Sequence, residues 1–204
     1  MLASLPSELL RSLRLTLVIF AVTGLVYPLV GTGLAQALFK GPANGSLVTK
    51  NGQVVGSSLI GQQFTKPEYF HGRPSATVDQ SDPTKALPYN AQSSAGSNYG
   101  PSNQALIDRV SRDVDTVRQE NGLAADAQVP VDLVTTDFSG FDPDITEASA
   151  LLQVDRVASA RSLDATRVRA LVEKHVQGRV LWIFGQPHVN VLDVNMALDA
   201  GGAG

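Results

Sequence analysis

The chain has 204 residues, 43% hydrophobic and 17% charged, with a formal net charge of −3 and no cysteine. That length accommodates one membrane segment and one soluble domain of ordinary size. The absence of cysteine excludes a disulfide framework, a thiolate nucleophile and Cys-ligated zinc, and the mildly acidic balance argues against nucleic acid as a partner.

Residues 1–14 read as a short cytoplasmic segment, with Leu5, Leu9, Leu10 and Leu13 at helical spacing as an amphipathic lead-in. Residues 15–39 carry no charged side chain and, at about 1.5 Å per residue, span a hydrocarbon core of roughly 30 Å, so they read as a transmembrane helix. Arg11 and Arg14 precede the run and only Lys40 follows it closely, which places the N-terminus inside and residues 40–204 outside the cytoplasm. A secretory signal peptide is the alternative, with Ala35-Gln36-Ala37 as its cleavage signal, although the run exceeds the usual h-region of about 7–15 residues. Within the helix, Pro28 predicts a kink, and Gly24, Gly31, Gly33 and Ala37 allow another helix to approach closely. With Arg11, Arg14 and Glu8 set aside, 14 basic face 18 acidic side chains, leaving the remainder at about −4.

Residues 41–45 form a turn-rich exit, and Asn51-Gly52 between two short apolar runs predicts a β-hairpin. Residues 64–103 combine Pro67, Pro74, Pro83, Pro88 and Pro101 with Tyr69, Phe70, Tyr89 and Tyr99. So long a segment without regular periodicity, yet with spaced aromatics, predicts an ordered docking loop. Leu106, Ile107, Val110, Val114 and Val117 mark a helix over 103–121 that should cover a sheet. A strand over 129–135 and a helix over 146–161 follow, then a helix capped by Asp164 with a Leu163/Val168 staple. Residues 180–184 and 189–194 read as two closing strands before a short helix through Leu198. The fold class is therefore a single N-terminal transmembrane helix followed by a compact α/β (α+β) extracytoplasmic domain.

Catalytic signatures for phosphate loops, dinucleotide folds, serine hydrolases and zinc proteases are absent from the sequence. His71, His175 and His188 lack ligand spacing, and His175 falls on the apolar side of its helix. Asp137, Asp142 and Asp144 precede a helix start, where an anion would be welcome but three carboxylates repel phosphate. They also lack the glycine and glutamate of a calcium loop. On acidic pairs alone, a membrane-tethered binding module or hydrolase unrelated to transport stays open.

Several blocks, however, resemble one family. They include Gly56-Ser57-Ser58-Leu59-Ile60-Gly61-Gln62-Gln63-Phe64, Tyr69-Phe70-His71-Gly72-Arg73-Pro74-Ser75-Ala76, Ser97-Asn98-Tyr99-Gly100-Pro101-Ser102-Asn103 and Val129-Pro130-Val131-Asp132-Leu133. Gln153-Val154-Asp155-Arg156-Val157-Ala158 and Gly185-Gln186-Pro187-His188-Val189-Asn190-Val191-Leu192 continue the series. Together they are similar to KdpC, the C subunit of the bacterial potassium-transporting Kdp ATPase, over nearly the whole chain. The resemblance implies a bacterial inner-membrane protein assembled with a channel-like potassium-translocating subunit, a P-type ATPase subunit and a small single-helix subunit. It implies no intrinsic cofactor, ATP and potassium being handled by the complex. It also carries a proposed nucleotide contact at Ser139, Gly140 and Gln153, through which the subunit would raise the ATPase subunit's ATP affinity as a catalytic chaperone.

This sequence departs from the family pattern at Asp137, Phe138 and Phe141, at Asp144, where His or Asn is common, and at Gln186 and His188, where Glu and Arg are usual. The acidic substitutions disfavour phosphate, and an external domain faces away from cytoplasmic ATP. The expectation is therefore an accessory subunit that braces or caps the outer mouth of the potassium pathway. Its expected partner contacts are Gly24, Pro28 and Gly33 in the anchor, and Tyr69, Phe70, Gly72, Arg73, Tyr89, Asn90, Asn98, Gly100 and Asn103 in the loop. Arg73 is placed either against a partner carboxylate or as an internal brace.

Overall fold

A computed structural model describes residues 5–201; the part of the expected N-terminal segment before Leu5 lies outside them. The chain divides into two compact units, residues 1–47 and 48–204.

In the first unit, α1 (Leu5–Ala21), a π-helical turn (Val22–Val26) and α2 (Tyr27–Leu38) run without interruption. The stretch Pro6–Leu38 is 33 residues long with a mean hydropathy of 2.0, and its most apolar window is 0% buried. At a rise of about 1.5 Å per residue it extends roughly 50 Å, more than a bilayer core requires. The amphipathic lead-in and the anchor are thus one helix. Pro28 supplies no N–H and its ring crowds the carbonyl four residues back, at Gly24, so the preceding turn widens to π geometry and the helix continues. The expected exit turn contains one helical turn, α3 (Lys40–Ala43), before the chain reverses at Gly45 with φ +84°.

The second unit opens with β1 (Leu47–Lys50) and β2 (Gln53–Ser57), antiparallel across Asn51 (φ 53°) and Gly52 (φ 79°), the paired left-handed residues of a type I′ turn. No regular element follows until α4 (Gln104–Glu120), which Asn103 caps by accepting from the Ala105 N–H at 2.9 Å. The apolar stripe of α4 is only half-buried and meets a 3₁₀ turn at Val131–Leu133. The expected sheet beneath it and the expected strand over 129–135 are both replaced by that turn. After Pro130 the backbone closes i to i+3, Leu133 N to Pro130 O and Val134 N to Val131 O at 3.2 Å each.

β3 (Asp144–Thr146), β4 (Val176–Gln177) and β5 (His188–Asn190) form an antiparallel sheet of order β3-β5-β4, with Ile145 and Val176 both opposite Val189. Ile145 and Val189 are buried on one face, where α5 (Glu147–Leu152), α6 (Val154–Arg161), α7 (Ala165–His175) and α8 (Val191–Asp199) enclose the core with Phe70, Val157, Val168, Val172 and Val194. Antiparallel pairing with helices gathered on the sheet makes this an α+β domain. The expected helix over 146–161 is split at Gln153, while Asp164 caps α7 as predicted and Leu163 and Val168 both join the core.

Two sequence expectations fail near the C-terminus. The strand expected over 189–194 runs from His188 and stops at Asn190, because the Asn190 side chain accepts from the Asp193 N–H at 3.1 Å and starts α8. Val180–Phe184 is an exposed tight loop, since Leu181 and Trp182 adopt φ of 52° and 60°, incompatible with a strand.

Candidate functional site

The loop around Phe70 is built into the core by amide side chains. Asn195 Oδ1 accepts from the Phe70 N–H at 2.8 Å and its Nδ2 donates to the Phe70 carbonyl at 2.9 Å. Gln153 does the same for His71: Oε1 accepts from its N–H at 2.8 Å and Nε2 donates to its carbonyl at 3.1 Å. Each amide acts as a one-residue strand partner, so an irregular segment crosses the core with its backbone satisfied. Gln153 also donates to the Ser149 carbonyl and accepts from Arg156 at 2.6 Å, which uses both ends of its side chain. Phe70 is 0% exposed. The expectation that it meets a partner is corrected: its ring fills the chain's own core.

Arg73 is also turned inward. Its Nη1 donates to Asp142 at 3.0 Å, and its remaining nitrogens reach the carbonyls of Thr135 and Thr136. The internal-brace alternative is therefore the one found. Tyr89, itself left-handed at φ 59°, donates its hydroxyl to the Arg73 carbonyl at 2.7 Å. Burial, together with Asp137 and Asp142, pushes its phenol well above the usual range, so it remains a donor. Gly72 permits that approach, because a Cβ there would stand 2.5 Å from the Tyr89 oxygen. Asn90 donates to the Val78 carbonyl at 2.8 Å, while Asn103 is spent on the α4 cap. Asn98 is left-handed at φ 53°, and the carbonyl of the exposed Gly100 receives the Asn103 N–H at 3.0 Å.

Tyr69 joins a second junction. Its ring lies 5.4 Å from that of Phe64 and carries the Arg161 guanidinium at 4.8 Å. Arg161, Lys50 and the Tyr69 hydroxyl converge on Asp199 at 2.9, 3.0 and 3.3 Å. Burial raises the Asp199 pKa, but those three donors outweigh it and hold the carboxyl below its ordinary value.

The acidic turn satisfies itself. Asp137 accepts from the backbone N–H of Ser139 at 3.0 Å and of Gly140 at 2.8 Å, and from the Ser139 hydroxyl. These are the donors a phosphate would need, already held by a carboxylate. Gly140 is left-handed at φ 80°, and a Cβ there would lie 2.3 Å from Thr77 Cγ2. Asp132, itself buried, accepts from the Thr146 N–H at 2.7 Å and from the Ser149 hydroxyl at 2.6 Å, tying the 3₁₀ turn to the start of α5.

A cleft of about 350 Å³ is lined by His71, Arg73, Tyr89, Glu120 and Gln153 among others; Ser139 and Gly140 are not on its wall. His71 Nε2 donates to the Lys66 carbonyl at 3.1 Å, leaving Nδ1 3.5 Å from Glu120. Burial and then Arg156 lower the His71 pKa, and the hydrogen bond to the Lys66 carbonyl and the nearby Glu120 only partly restore it. Among the described residues, no three His, Cys, Asp or Glu side chains gather as a metal site. His175 donates to the Leu171 carbonyl at 2.8 Å from its half-buried position. His188 and Asp144, both departures from the family pattern, lie 3.8 Å apart across β3 and β5. Burial raises the Asp144 pKa and His188 opposes that rise.

In the first unit, a Cβ at Gly33 would meet nothing within 4 Å and one at Gly24 only the Phe20 ring. The sequence reading missed Asn195 and Asp132. The available signal for Asn195 was a polar amide on the apolar stripe that runs through Val191, Val194 and Leu198.

Comparison with known proteins matches the model of the family described as "K+-transporting ATPase, c chain" over residues 9–200. The chain is 54% identical to a potassium-transporting ATPase KdpC subunit of Rhodopseudomonas palustris (strain BisB18), covering 95% of this chain and 98% of the relative. A KdpC subunit of Bradyrhizobium diazoefficiens is 53% identical, over 96% and 98% of the two chains. One of Methylobacterium nodulans is 54% identical, over 98% of each. This match overturns the reading of an unrelated membrane-tethered module. With its apolar N-terminal helix and α+β domain, the chain belongs to the KdpC family, the c chain of the K+-transporting ATPase.

Proposed function

We propose that this chain is a non-catalytic accessory subunit of an ATP-driven potassium import complex. Its N-terminal helix anchors it in the bacterial inner membrane, with Arg11 and Arg14 on the cytoplasmic side and residues 40–204 outside. There it stabilises the assembly of the channel-like, P-type ATPase and single-helix subunits, and its domain braces or caps the outer mouth of the potassium pathway. Gly24, Pro28 and Gly33 are the proposed helix contacts, while the exposed parts of 64–103, including Gly100 and the α4 start, supply the outer contacts. One observation carries this reading: the groups assigned to a nucleotide at Ser139, Gly140 and Gln153 are occupied by Asp137, His71, Ser149 and Arg156.

The catalytic-chaperone reading has one observation in its favour, that Gln153 borders a cleft beside His71 and Arg73. Topology separates the two. The chain has no cysteine and Phe138 is 93% exposed, so Phe138→Cys is a clean reporter. In intact cells expressing the complex, a membrane-impermeant maleimide is expected to label it. Labelling only after lysis would place the domain beside cytoplasmic ATP and favour the chaperone. Potassium uptake lost without the chain, and no ATP hydrolysis by the isolated chain, are the accompanying expectations.

A further inference from the structure

The loop Val180-Leu181-Trp182-Ile183-Phe184 holds five successive large apolar side chains, each between 62% and 90% exposed, Trp182 the most. Val180 N–H donates to Phe184 O and Phe184 N–H to Val180 O, both at 2.9 Å. Trp182 N–H reaches Arg179 O and Ile183 N–H reaches Val180 O at 3.2 Å. Four of the five backbone N–H groups are therefore satisfied inside the loop, which removes much of the cost of taking it out of water. All five side chains are exposed around a tight turn closed by the Val180–Phe184 backbone pair. A fluid apolar medium takes up such side chains without a shaped recess to receive them. Charge agrees: Lys174 and Arg179 flank the loop, and no Asp or Glu occurs from Lys174 to Leu192, in a protein whose net charge is −3.

We propose that Val180–Phe184 is a membrane-interface wedge, inserting its Trp and aliphatic side chains at the headgroup boundary of an anionic bilayer while Arg179 pairs with lipid phosphate. The proposal rests on the reading of Pro6–Leu38 as a membrane anchor. Only eight residues separate α2 from β1, so less than about 30 Å of chain ties the domain to that anchor and keeps a lipid surface at high effective concentration. The domain is then held at two points, the helix and the wedge.

Trp182 is the only tryptophan, so its emission reports the wedge without mutation. The full chain is reconstituted into vesicles of phosphatidylethanolamine and phosphatidylglycerol, washed with carbonate, and compared with vesicles whose lipids are brominated on the acyl chains. Insertion is expected to give blue-shifted emission, weak quenching by acrylamide and a clear loss of intensity in brominated vesicles. Arg179→Gln should weaken that loss most when phosphatidylglycerol is present. Solvent-like emission without bromolipid quenching, from chain that survives the wash, overturns the wedge alone. Blue-shifted emission that brominated lipid does not quench also overturns it, since protein then covers the loop. Chain that washes off the vesicles overturns the anchor and the wedge with it.

Discussion

Replacing Gln153 with alanine separates an internal role from a nucleotide contact. Gln153 is 1% exposed, and its truncation leaves the His71 N–H and carbonyl without their partners while Arg156 keeps the carbonyls of Pro67 and Tyr69. Each orphaned buried group costs about 1–3 kcal/mol, so the two together cost about 3 kcal/mol, a large share of the roughly 5–15 kcal/mol that stabilises a domain. For a domain of this size that lowers Tm by about 6–12 °C. Circular dichroism of the full chain in detergent measures it, with nucleotide affinity of the assembled complex recorded on the same preparations. A Tm within about 2 °C of the parent would refute the reasoning, because a buried amide with four partners cannot be removed so cheaply. If nucleotide affinity fell while Tm held, Gln153 would be a ligand contact and not a clamp.

Phe70→Ala should cost about 3–5 kcal/mol in a urea titration, because the ring is enclosed; a change below about 1 kcal/mol would mean that it faces a partner instead. Gly140→Ala combines a left-handed backbone with a Cβ 2.3 Å from Thr77 Cγ2, so it should lower stability by about 2 kcal/mol or more in the same assay. Asp199→Asn weakens the junction of Lys50, Tyr69 and Arg161 and should cost about 1 kcal/mol, an effect that shrinks at high salt because the site is partly exposed. The lowered pKa of His71 means that the unfolded chain binds its proton first. Its contribution is complete above the ordinary value of 6.5 and is lost as pH falls through that value toward the folded pKa. The urea midpoint should therefore drop more between about pH 7.5 and pH 5.5 in the parent than in His71→Asn; that difference isolates His71 from Asp144, whose raised pKa acts with the opposite sign.

Local chemistry determined much of this protein. The uncharged run before Lys40, the Asn51-Gly52 turn, the Asp164 cap and the stripe of α4 follow from contacts within a few residues, and each formed as its sequence predicts. The family was equally legible, because it resides in residue order and needs no packing. Residues 129–135 and 180–184 were misread because β-propensity is realised only when a neighbouring strand is available to pair. The first segment meets α4 as a 3₁₀ turn, and the second closes on itself through Val180 and Phe184. The direction in which an aromatic faces was not legible either. Phe70 and Tyr69 are adjacent in a loop that reads as surface throughout, yet amides from α8 and from the α5–α6 junction, 125 and 82 residues along the chain, draw the Phe70–His71 backbone into the core. The same long-range closure occupies Arg73 with Asp142 and Gln153 with His71. Sequence supplied the donors and acceptors of the candidate site; tertiary packing decided which were used internally, because a buried polar group must find its partner wherever the fold brings one within reach.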